Sequence, residues 1–167
     1  METEFGRGTT FVIELPALTR PAPVPGPADV EAWRAITPKA MLVVDDEPDI
    51  AATLAKPLRR DGHQVDIATR GLMALELLAR RSYDLVLSDT PMPNLDGKGF
   101  YRHLERRFPG QLQRLIFTTG DLLDREKRAF LESTGVPYLA KPFDLSEVRT
   151  VVHRVLAGAS VARSPQP

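Results

Sequence analysis

Short apolar runs alternate with longer amphipathic stretches from residue 40 to residue 156. Five runs have the length and apolar character of strands: "AMLVV" (40–44), "QVDIA" (64–68), "DLVLS" (84–88), "RLIFT" (114–118) and "PYLA" (137–140). The remaining stretches predict helices near 48–60, 70–81, 97–107, 124–134 and 144–157. Strict alternation of strand and helix is typical of a parallel sheet with helices on both faces. We therefore predict a doubly wound α/β fold with a five-stranded parallel sheet.

The position of each strand in the sheet follows from how apolar it is. In the second run, Val65 and Ile67 alternate with Gln64 and Asp66, which is expected of an edge strand with one buried face. The first, third and fourth runs are more continuously apolar, so we predict that they are the central strands.

Polar side chains stand where the predicted strands end. These ends carry three aspartates, a threonine and a lysine: Asp45, Asp46, Asp89, Thr119 and Lys141. Ligands of an open parallel sheet bind at the edge where its strands end. Three carboxylates at one edge repel each other unless a cation lies between them, and an acidic cluster of oxygen ligands favours Mg²⁺. Such an ion would bring a phosphoryl group next to a carboxylate nucleophile.

Each of these residues also has an ordinary structural explanation. Asp46 could cap the first helix, and Asp89 could be a turn residue ahead of a proline. Thr119 with Gly120 could be a simple strand-to-helix connection, and Lys141 could be a solvated surface charge. The ordered series at successive strand ends is not expected from these separate explanations, so it favours one functional site.

The amino-acid composition excludes several classes of function and of metal site. The 167 residues include 22 basic and 22 acidic ones, so no basic field would attract nucleic acid or an anionic membrane surface. The chain has no cysteine, which excludes disulfides and thiolate metal sites. No apolar run approaches the roughly 20 residues that cross a bilayer, and we expect a cytoplasmic protein. His63, His103 and His153 lack metal-binding spacing and are predicted to be exposed.

Four motifs resemble those of the receiver domain of two-component response regulators: "MLVVDDEPDI", "LVLSDTPMPNLDG", "LIFTTGD" and "VPYLAKPFDL". The resemblance covers about residues 40–156 and implies a flavodoxin-like fold with strand order 2-1-3-4-5. It implies a phosphoacceptor module of a phosphorelay, without kinase activity of its own. The phosphodonor would be a histidine kinase or a histidine phosphotransfer protein. Whether phosphorylation drives formation of a homodimer is left open.

The resemblance assigns Asp89 the role of accepting a phosphoryl group from a phosphohistidine. It implies that Mg²⁺ is held by Asp46, Asp89 and the backbone carbonyl of Pro91, with Asp45 acting through water. The family also binds the phosphoryl group with backbone N–H groups near position 91. Because proline has no N–H, we expect the phosphoryl group to be retained less well than is usual in the family.

The resemblance also implies a switch beside the acceptor. Lys141 is expected to neutralise the phosphoryl oxygens, Thr119 to donate a hydrogen bond to one of them, and Tyr138 to swing inward when Thr119 moves. The neighbouring Thr118 offers a second hydroxyl, but the small residue after Thr119 leaves room for the phosphoryl group. The resemblance further makes Lys141–Pro142 a cis peptide bond.

A Mg²⁺-dependent phosphohydrolase with Asp89 as its nucleophile is the alternative. Such phosphatases commonly need an aspartate two residues after the nucleophile as an acid, and this chain has Pro91 there. The sequence therefore favours signalling, and sustained turnover of phosphate esters would reverse that judgement.

The segment "FGRGTTFVIELP" (5–16) resembles the last glycine box and final strand of the ATP-binding domain of histidine kinases. We therefore interpret residues 1–17 as a remnant of such a domain, with "TTFVIELP" as one isolated strand. Residues 18–38 are a predicted proline-rich linker, 39–157 the receiver and 158–167 a disordered tail. A receiver after such a segment is the layout of a hybrid sensor kinase.

Overall fold

A computed structural model describes residues 2–4, 8–10, 37–120 and 124–158. The strands are β1 (Glu2–Glu4), β2 (Gly8–Thr10), β3 (Ala40–Val44), β4 (Gln64–Ala68), β5 (Leu85–Asp89), β6 (Leu115–Thr119) and β7 (Tyr138–Ala140). The α-helices are α1 (Pro48–Arg60), α2 (Gly71–Arg80), α3 (Gly97–Arg107), α4 (Arg125–Thr134) and α5 (Leu145–Leu156). A 3₁₀ helix, η1 (Pro109–Arg114), precedes β6 and was not predicted. From β3 onward, every other element lies within one residue of its predicted bounds.

Strands β3 to β7 form one parallel sheet in the order β4-β3-β5-β6-β7. Counted from β3, this is the predicted order 2-1-3-4-5, so the doubly wound, flavodoxin-like fold is confirmed. The half-polar strand β4 lies at an edge, and β3, β5 and β6 are central. All five residues of β5 and of β6 are buried, which explains their continuous apolar pattern.

The core has two layers because side chains alternate between the faces of each strand. On β5, Val86 points into one layer, which also contains buried residues of α2, α3 and α4. Leu85 and Leu87 point into the other layer, which contains buried residues of α1 and α5. The helices therefore cover both faces of the sheet, and the strand ends remain available for a site.

The loop after β5 is closed by a glycine. Gly97 lies so near Thr90 that a Cβ atom placed on it would be 3.0 Å from the Cα of Thr90. The backbone N–H of Gly97 donates a hydrogen bond of 2.8 Å to the carbonyl oxygen of Thr90. Asp96 then caps α3 by accepting a hydrogen bond from the backbone N–H of Gly99. This closed loop holds the chain beside Asp89.

The interpretation of "TTFVIELP" as an isolated strand is corrected in part. Its first residues belong to β2, which pairs with β1 in an antiparallel register that places Thr9 opposite Thr3 and Thr10 opposite Glu2. The polar residues of β1 show no apolar alternation, so this partner strand could not be predicted from the sequence. Residues 11–16, most of the predicted linker (18–36) and the tail at 159–167 lie outside the described residues.

His63 contradicts the prediction that the histidines are exposed. It is 5% exposed, and its Nδ1 atom accepts a hydrogen bond of 3.3 Å from the backbone N–H of Lys39. The chain turns at Gly62 after α1, and this turn places His63 directly before β4. His153 is half-buried, and His103 is exposed as predicted. Among the described helices, none is long and apolar enough to cross a bilayer.

Candidate functional site

Asp45, Asp46 and Asp89 come together at the carboxyl edge of the sheet. Asp45 follows β3 and Asp89 ends β5, and these two strands are hydrogen-bonded neighbours. Each aspartate offers a carboxylate oxygen within 4.8 Å of those of the other two. Asp45 and Asp89 are buried, whereas Asp46 is half-buried. The structure therefore assembles the three carboxylates that the strand ends predict.

Lys141 bridges two of these carboxylates. Its Nζ atom lies 2.7 Å from Oδ2 of Asp89 and 3.1 Å from Oδ2 of Asp45. Its backbone N–H donates a hydrogen bond of 2.7 Å to the carbonyl oxygen of Thr119, which extends the pairing of β6 and β7 by one residue. The Lys141–Pro142 peptide bond is cis, as predicted.

One ammonium group shared by two aspartates determines the electrostatics. Burial raises the pKa of Asp89, and the nearby charge of Asp45 raises it further, although the hydrogen bond and charge of Lys141 act in the opposite direction. Burial alone would lower the pKa of Lys141, but its hydrogen bonds to Asp89 and Asp45 outweigh burial and the pKa is raised. The ammonium group of Lys141 is stabilised by two carboxylates, whereas Asp45 and Asp89 share the positive charge of this one ammonium group. The cluster is therefore short of positive charge.

The other carboxylate oxygen of Asp89 accepts two hydrogen bonds, one of them from a residue of β6. Its Oδ1 atom accepts hydrogen bonds from the Thr118 hydroxyl, at 3.2 Å, and from the backbone N–H of Thr90, at 2.9 Å. Asp89 and Thr118 are direct partners in the register of β5 and β6, so their side chains emerge on the same face. The sequence interpretation favoured Thr119 and assigned Thr118 no role. Its contact with Asp89 depends on the register between β5 and β6, which the sequence pattern does not specify.

The predicted switch residues lie on two neighbouring strands, Thr119 on β6 and Tyr138 on β7. Thr119 is buried two residues after Phe117, and half-buried Tyr138 packs against the core layer that contains Phe117. A Cβ atom built on Gly120, the residue after Thr119, would have no heavy atom of the described residues within 4 Å. Pro91 is exposed in the loop after Asp89.

A parallel sheet of this order, with an acidic cluster and a lysine at its carboxyl edge, defines the receiver class of signalling domain. The chain belongs to the response regulator receiver domain family, whose model matches residues 41–153. The matched range begins in β3 and ends in α5, so it includes all five strands of the sheet.

Two kinds of relative match the chain. Response regulator MprA of Mycobacterium sp. (strain KMS) is 34% identical over 128 residues, which are 77% of this chain and 55% of that protein. Sensor kinase CckA of Brucella abortus (strain 2308) is 32% identical over 164 residues, and the match covers 93% of this chain and 17% of the kinase. The chain thus spans about half the length of the response regulator and a small part of the sensor kinase.

A solved structure resembles this one at the level of the whole sheet. The receiver domain of sensor histidine kinase PA1611 from Pseudomonas aeruginosa PAO1 matches with a TM-score of 0.64 and 28% identity. The match covers 72% of this chain and 99% of that domain, in which a magnesium ion is coordinated in the active site cleft.

Proposed function

We propose that Asp89 is the phosphoacceptor of this receiver, and that it takes its phosphoryl group from a phosphohistidine. The observation that carries the proposal is the pairing of a buried, strand-terminal carboxylate with Lys141 at 2.7 Å, inside a cluster of three aspartates. A nucleophile needs a fixed direction of attack, and the end of a central strand provides it.

The residues of the cluster fit a Mg²⁺ ion. Mg²⁺ prefers carboxylate, carbonyl and water oxygens, and the cluster supplies carboxylates that lack a full complement of positive charge. Asp46, Asp89 and the carbonyl of Pro91 would hold the ion. Asp45 would act through water, as the family resemblance implies, while its two oxygens accept hydrogen bonds from Lys141 and from the backbone N–H of Glu47. The bound ion supplies positive charge for the phosphoryl oxygens.

The chemical step follows from the positions of the two Asp89 oxygens. Because Oδ1 is held by Thr118 and Thr90, Oδ2 is the oxygen that forms the bond to phosphorus. The bond between phosphorus and the donor histidine nitrogen breaks, and its electron pair returns to the imidazole ring. Phosphorylation removes the negative charge of the Asp89 carboxylate, so Lys141 then binds a phosphoryl oxygen in its place. The Thr119 hydroxyl donates a hydrogen bond to another phosphoryl oxygen. Movement of Thr119 makes room for Tyr138 to turn inward.

The donor class is a histidine kinase or a histidine phosphotransfer protein. The match to a sensor kinase covers 93% of the chain, which is more than residues 41–167 can supply, so it includes part of the N-terminal segment. That extent supports a further part of the proposal: residues 1–17 correspond to the end of a kinase ATP-binding domain, joined by the linker at 18–38 to the receiver. This is the layout of a hybrid sensor kinase.

The acceptor is tested by incubating the protein with Mg²⁺ and a small acyl phosphate. The expected result is one phosphoryl group per chain by mass spectrometry, removed by hydroxylamine as an acyl phosphate would be. Asp89→Asn should abolish labelling, because an amide lacks both the nucleophilic charge and the metal affinity of a carboxylate. Asp49→Asn, which changes an exposed carboxylate near the same edge, is the matched control and should label normally.

Labelling that survives in Asp89→Asn would exclude Asp89 as the acceptor. The phosphohydrolase alternative is separated by counting turnovers. A receiver consumes about one phosphodonor per labelled chain until its own acyl phosphate hydrolyses, whereas a phosphohydrolase releases phosphate from esters continuously. Omitting Mg²⁺ should slow labelling strongly in the wild-type protein.

A further inference from the structure

We propose that the Thr118 hydroxyl shortens the lifetime of the phosphorylated receiver by stabilising the Asp89 carboxylate as a leaving group. This inference rests on the proposed function, since it requires an acyl phosphate on Asp89. Thr118 lies on the opposite face of β6 from the predicted switch residue Thr119, so it is a separate feature of the site.

The geometry places a hydroxyl on the oxygen that is not phosphorylated. The Thr118 hydroxyl is 3.2 Å from Oδ1 of Asp89, and Lys141 lies on Oδ2. Thr118 is 1% exposed and Asp89 is 2% exposed, so water does not compete for the bond. The direct pairing of the two residues in the strand register fixes their distance. The bond to Oδ1 therefore persists when Oδ2 carries a phosphoryl group.

Hydrolysis of the acyl phosphate changes the charge on Oδ1. A water oxygen forms a bond to phosphorus, the bond between phosphorus and Oδ2 breaks, and its electron pair leaves with the carboxylate. The water proton passes to solvent, and inorganic phosphate departs. In a loose transition state the leaving carboxylate already carries much of its negative charge. A hydrogen bond to a charged acceptor is roughly twice as strong as one to a neutral carbonyl, so the Thr118 bond strengthens along this path.

Phosphorylation in the forward direction is affected less. The Asp89 carboxylate is fully charged before attack, and in a loose transition state it has formed little bond to phosphorus. The Thr118 hydrogen bond therefore has similar strength in the starting state and in the transition state. The expected signature is a change in lifetime that exceeds the change in phosphorylation rate.

The test is Thr118→Val, which removes the hydroxyl with little change in volume. Acyl phosphate with Mg²⁺ is used to label the protein, the donor is removed, and loss of the label is followed over time. The lifetime should lengthen about fivefold, the ratio expected from the difference between a charged and a neutral acceptor. Thr118→Ser keeps a hydroxyl and should restore the short lifetime.

Ser88→Ala is the matched control. Its hydroxyl is also buried next to Asp89, but it donates to the main-chain oxygen of Asp89, at 3.1 Å, and not to the carboxylate. Removing it should leave the lifetime within about twofold of the wild type. The thermal midpoint of each variant is measured beside its lifetime, so that a loss of stability is recognised.

The outcomes separate this inference from the proposed function. If the wild-type protein takes no label on Asp89, the proposed function fails. If it labels normally but Thr118→Val has an unchanged or shorter lifetime, the inference about Thr118 is wrong. A phosphorylation rate that falls as much as the hydrolysis rate, or a Ser88→Ala lifetime that lengthens equally, would also overturn it, because either result indicates a general effect of packing.

Discussion

Asp89 is a buried carboxylate that must be ionised to serve as the proposed phosphoacceptor. The only ammonium group described beside it, that of Lys141, is shared with Asp45, and burial raises the pKa of Asp89 in spite of this partner. A raised carboxyl pKa means that the ionised form is destabilised in the folded state. The same imbalance gives a cation a favourable place to bind, in agreement with the proposed Mg²⁺ site.

We expect His63 to make the stability of the domain depend on pH. Burial lowers the pKa of His63 from its ordinary 6.5, although Asp61 and Asp84 act in the opposite direction. The unfolded chain therefore binds more protons than the folded one just below pH 6.5, and the free energy of unfolding falls as pH decreases through that value. Chemical denaturation from about pH 7.5 to about pH 5.5 should show this loss, by at most about 1.4 kcal/mol per pH unit for one histidine.

His63→Asn is the informative variant for that prediction. Its side-chain oxygen can take the place of Nδ1 as the acceptor for the backbone N–H of Lys39, but it does not titrate. The pH dependence should therefore become shallower. Part of the pH dependence should remain and come from His153, because burial and the charge of His63 lower the pKa of His153 too. An unchanged slope in His63→Asn would show that other groups cause the acid sensitivity.

The residues of the acidic site could be predicted from the sequence, but the hydrogen bonds between them could not. Asp45, Asp46, Asp89 and Lys141 were recognisable because each follows an apolar run, and the parallel topology brings strand ends together. The bond from Thr118 to Asp89 depends on the register between β5 and β6, which apolar periodicity does not specify in strands buried on both faces.

Among the elements, predictability follows the strength of the pattern. Helices α1 and α3 begin and end where predicted, because Pro48 starts the first and the Asp96 cap starts the second. The 3₁₀ helix η1 was missed because a Pro-Gly pair at its start reads as a turn. Strand β1 was missed because its three polar residues have no buried face in the sequence pattern.

Helix α5 should depend on its cap. The Asp144 side chain accepts hydrogen bonds from the backbone N–H of Glu147, at 2.8 Å, and from the Ser146 hydroxyl. The helix contributes Val148, Val151 and Val152 to the buried core. Asp144→Ala should lower the free energy of unfolding by about 1 kcal/mol, measured by urea denaturation, because an N-terminal donor of the helix loses its partner.

Asp144→Ser is the matched comparison for the cap. Serine also accepts a hydrogen bond at this position, so most of the stability should be retained. Equal losses for the alanine and serine variants would mean that the carboxylate charge, and not the capping hydrogen bond, stabilises the start of α5.

For the whole molecule, we expect the core of the receiver to be independent of residues 1–38, which the family match at residues 41–153 does not include. Its buried apolar residues run from Met41 to Val152. Deleting residues 1–38 should therefore shift the thermal midpoint by less than about 2 °C and leave labelling of Asp89 intact. Calorimetry and the labelling assay check both expectations. A deletion that unfolds the domain would make the segment part of the receiver and would contradict the hybrid-kinase layout.

A slightly longer deletion provides the control. Lys39 accepts a hydrogen bond from the backbone N–H of Gln64, and the N–H of Ala40 donates to the Asp84 side chain. Deletion through residue 40 removes these contacts at the start of β3 and should destabilise the protein measurably. The boundary of the folding unit is therefore expected to fall between residues 38 and 40.

The burial of Thr118 has a consequence for how such a receiver can evolve. Its side chain is 1% exposed, so a substitution there alters the interior of the sheet and not a solvent-exposed side chain. If the hydroxyl sets the decay of the phosphorylated state, the duration of a signal is encoded inside the sheet, whereas the choice of partner is encoded outside it. One interior substitution would then lengthen or shorten the lifetime of the phosphorylated state during evolution without changing the choice of partner proteins.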